Sequence, residues 1–415
     1  IFSAAAAIVV VLTGTTAFAQ SSGFSDEKGR ISASPAPHDN KYTQIQWGGG
    51  VKRENCGIPV PSGELVFLPT SDKLLAISEA DGSETASVEL PQNCSTSCSG
   101  AISEKKLLQT TERGVSYIDT ESMTTLRSRS LDGEIASDCS INDGLGYFAV
   151  KLDGGYEFMC VDLDSDGLET VWSVEMENQP TSAALQGDWL IWGCEDELYT
   201  HHYKQDMSNV IPLGKAISGA PFATEYAVFF STEDGNAGKL RLNPDGTLEE
   251  DTLTWCEVGK SPVSPVSWNG RLYVPTADGF YILDNLNMEI SYIITDIKGG
   301  CTPQVHYGNG PYIYTVAKRE DKWAVYCVQD MDEKSEPTVA ILAQMEDYTS
   351  GAFCASDKGT LYFRDAIGRL YALTVAPFDV FSLILRLVVL LALLVLVFFW
   401  LKKVAKRRAD IHPKY

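Results

Sequence analysis

A four-strand unit of about 40 residues that returns along most of the chain is the feature that most limits its fold. It is clearest in "GELVFLPTSDKLLAISEADGSETASVEL" from Gly63 and in "NGRLYVPTADGFYILDNLNMEISYII" from Asn269. Both read as strand, short polar turn, strand, turn and strand, with β-branched and aromatic residues in the runs and Gly, Asp or Asn between them. "GTLYFRDAIGRLYALTV" from Gly359 repeats the first two of those strands. A small-residue strand precedes each: "CGIPVPS" at Cys56, "SPVSPVSW" at Ser261 and "SGAFCAS" at Ser350. No long stretch shows helical periodicity. One such unit cannot bury both of its faces, but a ring of them can, so the pattern predicts an all-β propeller with four-stranded antiparallel blades.

The first strands begin near Cys56, Cys98, Cys139, Ser182, Ala220, Val263, Pro303 and Gly351, which gives eight blades, with seven as the alternative. The last unit is one strand short. Its third strand, "GRLYALTV", ends at Val375 and an apolar run starts at Phe378. The missing strand is expected from "KYTQIQWGG" at Lys41–Gly49, which ends in Trp as other fourth strands do ("ETVWSV" at Glu169, "DTLTWCEV" at Asp251). Such a closure removes the bare sheet edge that would otherwise invite aggregation.

The units "RLYVPTADGFYILD" (Arg271–Asp284), "LVFLPTSDKLLAISEADG" (Leu65–Gly82) and "TLYFRDAIGRLYAL" (Thr360–Leu373) resemble the quinoprotein-type propeller repeat, over most of residues 43–377. That family includes dehydrogenases that bind pyrroloquinoline quinone and propellers without cofactor that scaffold envelope proteins. Its dehydrogenases clamp the quinone with a vicinal Cys-Cys disulfide and a stacking Trp, and hold calcium with Glu, Asn and Asp. This chain has no Cys-Cys dipeptide and lacks the blade-to-blade tryptophan docking motif of those enzymes. The resemblance therefore implies a non-catalytic member with no organic cofactor and no catalytic residues; the alternative within the family is a quinone-dependent dehydrogenase.

One stretch points to a metal. "DLDSDGLE" at Asp162–Glu169 sets Asp162, Asp164 and Asp166 at alternate positions before a glycine, as calcium loops do. The twelfth position from Asp162, where an EF-hand loop has its bidentate Glu, is Ser173. The same stretch aligns with "ISEADGSET" in the first unit and "RLNPDGTLEE" in the fifth, and on that alignment Asp-Gly is a hairpin turn between third and fourth strands. The three aspartates are the candidate metal ligands and calcium is the ion they would take.

The ten cysteines are an even set. In an oxidising compartment they would pair, Cys94 with Cys98 locally or Cys56, Cys98, Cys139 and Cys301 between ring neighbours; as thiols they would be small buried residues. His201 and His202 are adjacent in a strand and so face opposite sides of the sheet, which favours a surface pair over a ligand pair. His306 falls in the innermost strand of the seventh unit, a candidate for contact with a ligand in the channel. No G-x-S-x-G, H-E-x-x-H or phosphate-binding loop occurs.

The flanks carry targeting signals. "IFSAAAAIVVVLTGTTAFAQ" has the apolar run and A-x-A ending of a secretory signal peptide, expected over residues 1–19, and residues 20–42, rich in Ser and Pro, read as a disordered spacer. Residues 378–401 are apolar except for Asp379 and Arg386, long enough to span a bilayer, and the basic tail at 402–415 is expected in the cytoplasm. Residues 378–415 hold two of the 55 acidic and seven of the 33 basic residues, so the preceding part carries 53 acids against 26 bases, or −27. That surface argues against nucleic acid and anionic lipid as partners. Only Ala376 and Pro377 separate the last strand from the apolar run, which favours a protein partner in or near the same membrane. The expectation is thus a single-pass, extracytoplasmic propeller that binds or scaffolds a protein, with a small-molecule or glycan receptor as the alternative.

Overall fold

The computed structural model describes residues 31–32, 37–38, 43–48, 56–205, 207–308, 310–330, 335–346, 348, 353–365, 368–375 and 393–402. Its strands form eight separate sheets, each built on a four-stranded antiparallel meander; the meander runs in chain order in seven, and in the eighth its outer strand comes from the N-terminal side. Their first strands are Val60–Ser62, Ala101–Ser103, Ser140–Asn142, Ala184–Gln186, Phe222–Ala223, Val266–Trp268, Gln304–His306 and Phe353–Ala355. Neighbouring first strands touch where blade one meets two, two meets three, four meets five, six meets seven, and eight meets one. The count is therefore eight, and the seven-blade alternative falls.

The sequence pattern follows from burial. Second and third strands lie inside a blade and between blades, so both of their faces are covered. Trp189–Cys194 in blade four is buried at every residue, as is Ala227–Ser231 in blade five. Fourth strands form the outer rim and alternate, as in Thr124–Ser130. Large rings fill the space between blades: Phe158 of blade three stacks on Trp192 of blade four with centroids 4.4 Å apart. In seven blades the pairing of third and fourth strands slips, by one residue in six of them, for example between Cys160 and Val161, and by three in blade five. A bulge of this kind bends the outer strand and increases its twist.

The ring closes as the sequence predicts. Thr43–Gly48 pairs antiparallel with Leu370–Val375, from Thr43↔Val375 to Gly48↔Tyr371, and supplies the fourth strand of blade eight. The segment read as a disordered spacer departs from expectation. Ile31–Ser32 pairs in parallel with Val305–His306 and adds a fifth strand to the inner edge of blade seven. Tyr314 Oη donates to Pro37 O at 2.6 Å, and His38 stacks on Tyr312. Unsatisfied inner-edge amides and two tyrosines on blade seven give an otherwise polar segment something to hold.

The chain divides into two compact units, Ile1–Val375 and Ala376–Tyr415. Residues 393–402 are helical with exposed apolar side chains. The signal-peptide expectation and residues 378–392 of the expected span lie outside the described residues, and no described helix is long and apolar enough to cross a membrane.

Candidate functional site

A meander of four strands puts its first-to-second and third-to-fourth turns on one side of the ring, here termed the hairpin face. The second-to-third turns and the crossovers between blades lie on the other, the lead-in face.

"DLDSDGLE" lies on the hairpin face, between the third strand Gly155–Asp162 and the fourth strand Thr170–Met176 of blade three. Its turn is not the one expected. In blades one and five the turn glycines Gly82 and Gly246 take positive φ, at 72° and 76°; in blade three that conformation falls on Leu168, φ 51°, one residue past the glycine. Burial explains the shift. Leu163 and Leu168 are fully buried and pin the loop to the core. Blade two holds it from the side, with Arg127 Nη1 donating to Leu163 O at 3.0 Å and Arg129 Nη1 to Leu168 O at 2.7 Å. Asp162 Oδ1 accepts the Asp164 N–H at 2.9 Å, while Asp164 and Asp166 point to solvent. Among the described residues no three His, Cys, Asp or Glu side chains gather as metal ligands.

The other candidates lie elsewhere. His201 and His202, in Glu197–His202, do face opposite ways. His201 is no surface residue: it is buried, packs at a tilt against Trp172 with centroids 4.0 Å apart and pairs its Nδ1 with Ser208 Oγ. His202 packs against Trp189. His306 is on the innermost strand as expected, but its backbone pairs with Ser32, so the chain's own arm lies along that edge.

The lead-in face has a cavity of about 270 Å³ between blades six, seven and eight, walled by Trp323, Tyr348, Phe353 and Cys301. The Tyr348 hydroxyl meets the Cys301 sulfur; burial holds the phenol well above its ordinary range and raises the thiol too. Among the described residues no charged side chain lines this cavity. Pyrroloquinoline quinone, the cofactor that the sequence resemblance raises, is a flat polycarboxylate, and the described lining offers no cation to meet it.

The most distinctive surface is on the hairpin face of blades five to seven, and the motifs in the sequence gave no hint of it. A groove of about 500 Å³ runs between Tyr226 of blade five and Leu286 of blade six, over Phe229, Lys239 and Arg241. Tyr226 is 74% exposed and Leu286 81%. Both sit on ordered turns. Thr224 Oγ1 accepts the Ala227 N–H, and Asp284 Oδ1 accepts the N–H groups of Leu286 and Asn287. Lys239 Nζ donates to Asn285 O and Leu286 O at 2.8 and 2.9 Å, latching blade five to this turn. Asn285 Nδ2 in turn donates to Ser267 Oγ, beside Trp268, and Trp268 stacks on the exposed Tyr307 at 4.5 Å. Tyr226, Leu286, Trp268 and Tyr307 thus form an apolar line across three blades. Beneath it Arg271, Tyr273 and Asp330 form a buried network: Tyr273 Oη donates to Asp330 Oδ2 at 3.0 Å and Arg271 Nε lies 3.7 Å from the same oxygen. Burial raises the Asp330 carboxyl, against the pull of Tyr273 and Arg271.

No family model matches this sequence, and no curated protein does. Solved structures match its fold. A europium-containing methanol dehydrogenase aligns with TM-score 0.62 at 10% identity, covering 83% of this chain and 96% of that one. BamB from Moraxella catarrhalis aligns with TM-score 0.58 at 12% identity, over 80% of this chain and 99% of that one. A quinohemoprotein alcohol dehydrogenase from Comamonas testosteroni gives TM-score 0.59 at 8% identity, over 83% and 78%. The likeness is one of fold: an eight-bladed, quinoprotein-like propeller.

Proposed function

We propose that this chain is a membrane-anchored, extracytoplasmic propeller that holds a protein partner on the aromatic half of its hairpin face. The observation that carries this reading is the line of Tyr226, Leu286, Trp268 and Tyr307. Ordered turns hold a tyrosine and a leucine almost wholly in solvent there. A folded protein has no internal use for such side chains, and exposed apolar groups gathered on one face mark interaction surfaces. Tyrosine and tryptophan are enriched among residues that dominate interface energies. Lys239 and Arg241 in the groove suit a partner segment with acidic side chains, although Arg241 already faces Glu249 at 3.5 Å. The anchor and export rest on the sequence of the two flanks.

Photo-crosslinking in native membranes tests the reading. The full chain would carry a photoreactive phenylalanine analogue at position 286 or at position 164. A discrete crosslinked protein from 286 and none from 164 is the expected outcome. Equal labelling from both, or none from 286, would overturn it. The fold likeness to named dehydrogenases supplies a second reading, quinone-dependent oxidation. Added pyrroloquinoline quinone and calcium with a dye acceptor should give no turnover; turnover would replace the docking reading with an enzyme.

A further inference from the structure

All ten cysteines carry thiols in this structure, and eight of them are buried. Four are on the lead-in face where blades one, two and three meet, and the backbone around them is closely laced. Gly57 N–H donates to Pro69 O at 2.9 Å, and Cys94 N–H donates to Ser71 O at 2.8 Å, so Cys56 and Cys94 flank the same end of a blade-one hairpin. A Cβ at Gly57 would stand 2.6 Å from Ser95 O. The residues next in chain to Cys56 and Cys94 are therefore in contact. One junction further on, Cys139 N–H donates to Ser99 O at 3.0 Å, and Ser99 N–H donates to Asp138 Oδ1 at 2.6 Å. The neighbours of Cys98 and Cys139 are thus hydrogen-bonded to each other as well. The local alternative, Cys94 with Cys98, is opposed by the same geometry. Cys94 sits at the junction of blades one and two, bonded to Ser71 O and bridged to Thr111, whereas the Cys98 sulfur turns towards Ile135 O of blade three, at 3.7 Å.

We propose that Cys56–Cys94 and Cys98–Cys139 are two disulfide pairs, staples that fasten blade one to blade two and blade two to blade three. A disulfide spans Cα atoms about 4.4–6.8 Å apart, a distance that chain neighbours in direct contact permit with little movement. Each bridge converts two thiols into one disulfide. Two electrons and two protons pass to a disulfide-bearing oxidant, a thiol–disulfide exchange protein or oxidised glutathione, which ends as two thiols. The folded thiols are poor nucleophiles. Burial pushes both Cys94 and Cys98 up to about 11, and the Cys94 value stands there despite the Arg364 guanidinium nearby. Bridging therefore belongs to folding, before the junctions close. The loops concerned, 56–94 and 98–139, are long enough for a staple to restrict the unfolded chain appreciably.

The test is disulfide mapping of the full chain, refolded with oxidised glutathione so that it stands independently of export. Free thiols are alkylated in denaturant and the peptides read by mass spectrometry with and without reductant. The expected result is four cysteines protected, with Cys56, Cys94, Cys98 and Cys139 in one linked species. Cys56→Ser should release Cys94 to alkylation and leave Cys98–Cys139 joined, and Cys139→Ser should release Cys98 alone. Ten alkylated cysteines, or a linkage between Cys94 and Cys98, would overturn the assignment. Should either variant fail to fold, the wild-type map still decides, because partial reduction separates the two bridges.

Discussion

The hairpin face has two unlike halves. Blades one to four present acids: Glu64, Asp81, Glu104, Asp143, Asp164, Asp166 and Asp188 are all exposed there. Blades five to seven present the aromatic line from Tyr226 to Tyr307. The turns of blade six, Asn269–Gly270 and Asn285–Met288, carry no charge of their own, and the carboxylates that flank the second, Asp284 and Glu289, are hydrogen-bonded to it. A ring of similar blades has thus been differentiated by its turns, with the strands left alike. The acidic half is well solvated and suited to repelling anionic surfaces, while the aromatic half has apolar area to lose on binding.

Both halves rest on buried support, and removing that support should give the largest effects. Asp330→Ala strips the carboxylate from Arg271 beneath the aromatic half, where both side chains are nearly covered. Breaking a buried pair typically costs about 3–5 kcal/mol, readable as a lowered urea midpoint. Leu168→Ala beneath the acidic half removes a fully buried side chain, for a loss of about 2–5 kcal/mol by the same measurement. If one costs little, that half is loosely built and its surface is less defined than described. The next effect separates function from stability. Tyr226→Ala combined with Leu286→Ala should lower partner binding about tenfold or more with an unchanged urea midpoint, because two exposed anchors are lost and no core is disturbed. Asp164→Asn with Asp166→Asn should change binding less than about twofold at physiological salt, visible mainly as a smaller salt dependence of association. A stronger effect from the aspartates would reverse the roles of the halves.

The smallest effect is on pH. Asp234, on the opposite face, is held down at about 2 by Lys215, Thr232 and Asn236. A carboxyl depressed in the folded state stabilises above its ordinary value and loses that contribution as pH falls through its folded value. The loss should fall between about pH 4 and pH 2. Asp234→Asn should flatten that limb of the stability profile slightly, since the group is half exposed and screened.

Much of the ring was legible because its cause is periodic. Alternating burial and regular turn residues are visible in "RLYVPTADGFYILD" without any structure, and the short last unit announced the strand that closes it. What the sequence hid depends on contacts between distant residues. Asp166-Gly167 looked like the positive-φ pair of a hairpin, yet Leu168 takes that conformation because its side chain is drawn into the core. The arm at 31–38 is polar by composition and was read as disordered; pairing with Val305 and His306 and a bond from Tyr314 order part of it. The aromatic line was hidden for a related reason. Tyr226, Trp268, Leu286 and Tyr307 are spread over 82 positions and meet only because three blades deliver their turns to one face. No spacing rule marks an exposed leucine apart from a buried one.

The strand that closes the ring also sets a schedule. Thr43 and Val375 are 332 positions apart, yet they share a blade. At about 5–20 residues per second of synthesis, the closing strand waits on the order of tens of seconds for its partner. Until Leu370–Val375 emerges, the blades already made form an open arc with bare edges at both ends. The entropic cost of so long a closure grows only with the logarithm of its length, so delay rather than free energy is the hazard. A chain stopped before Leu370 would therefore yield an unfinished arc, exposed to edge-to-edge pairing with its neighbours, and not a smaller ring.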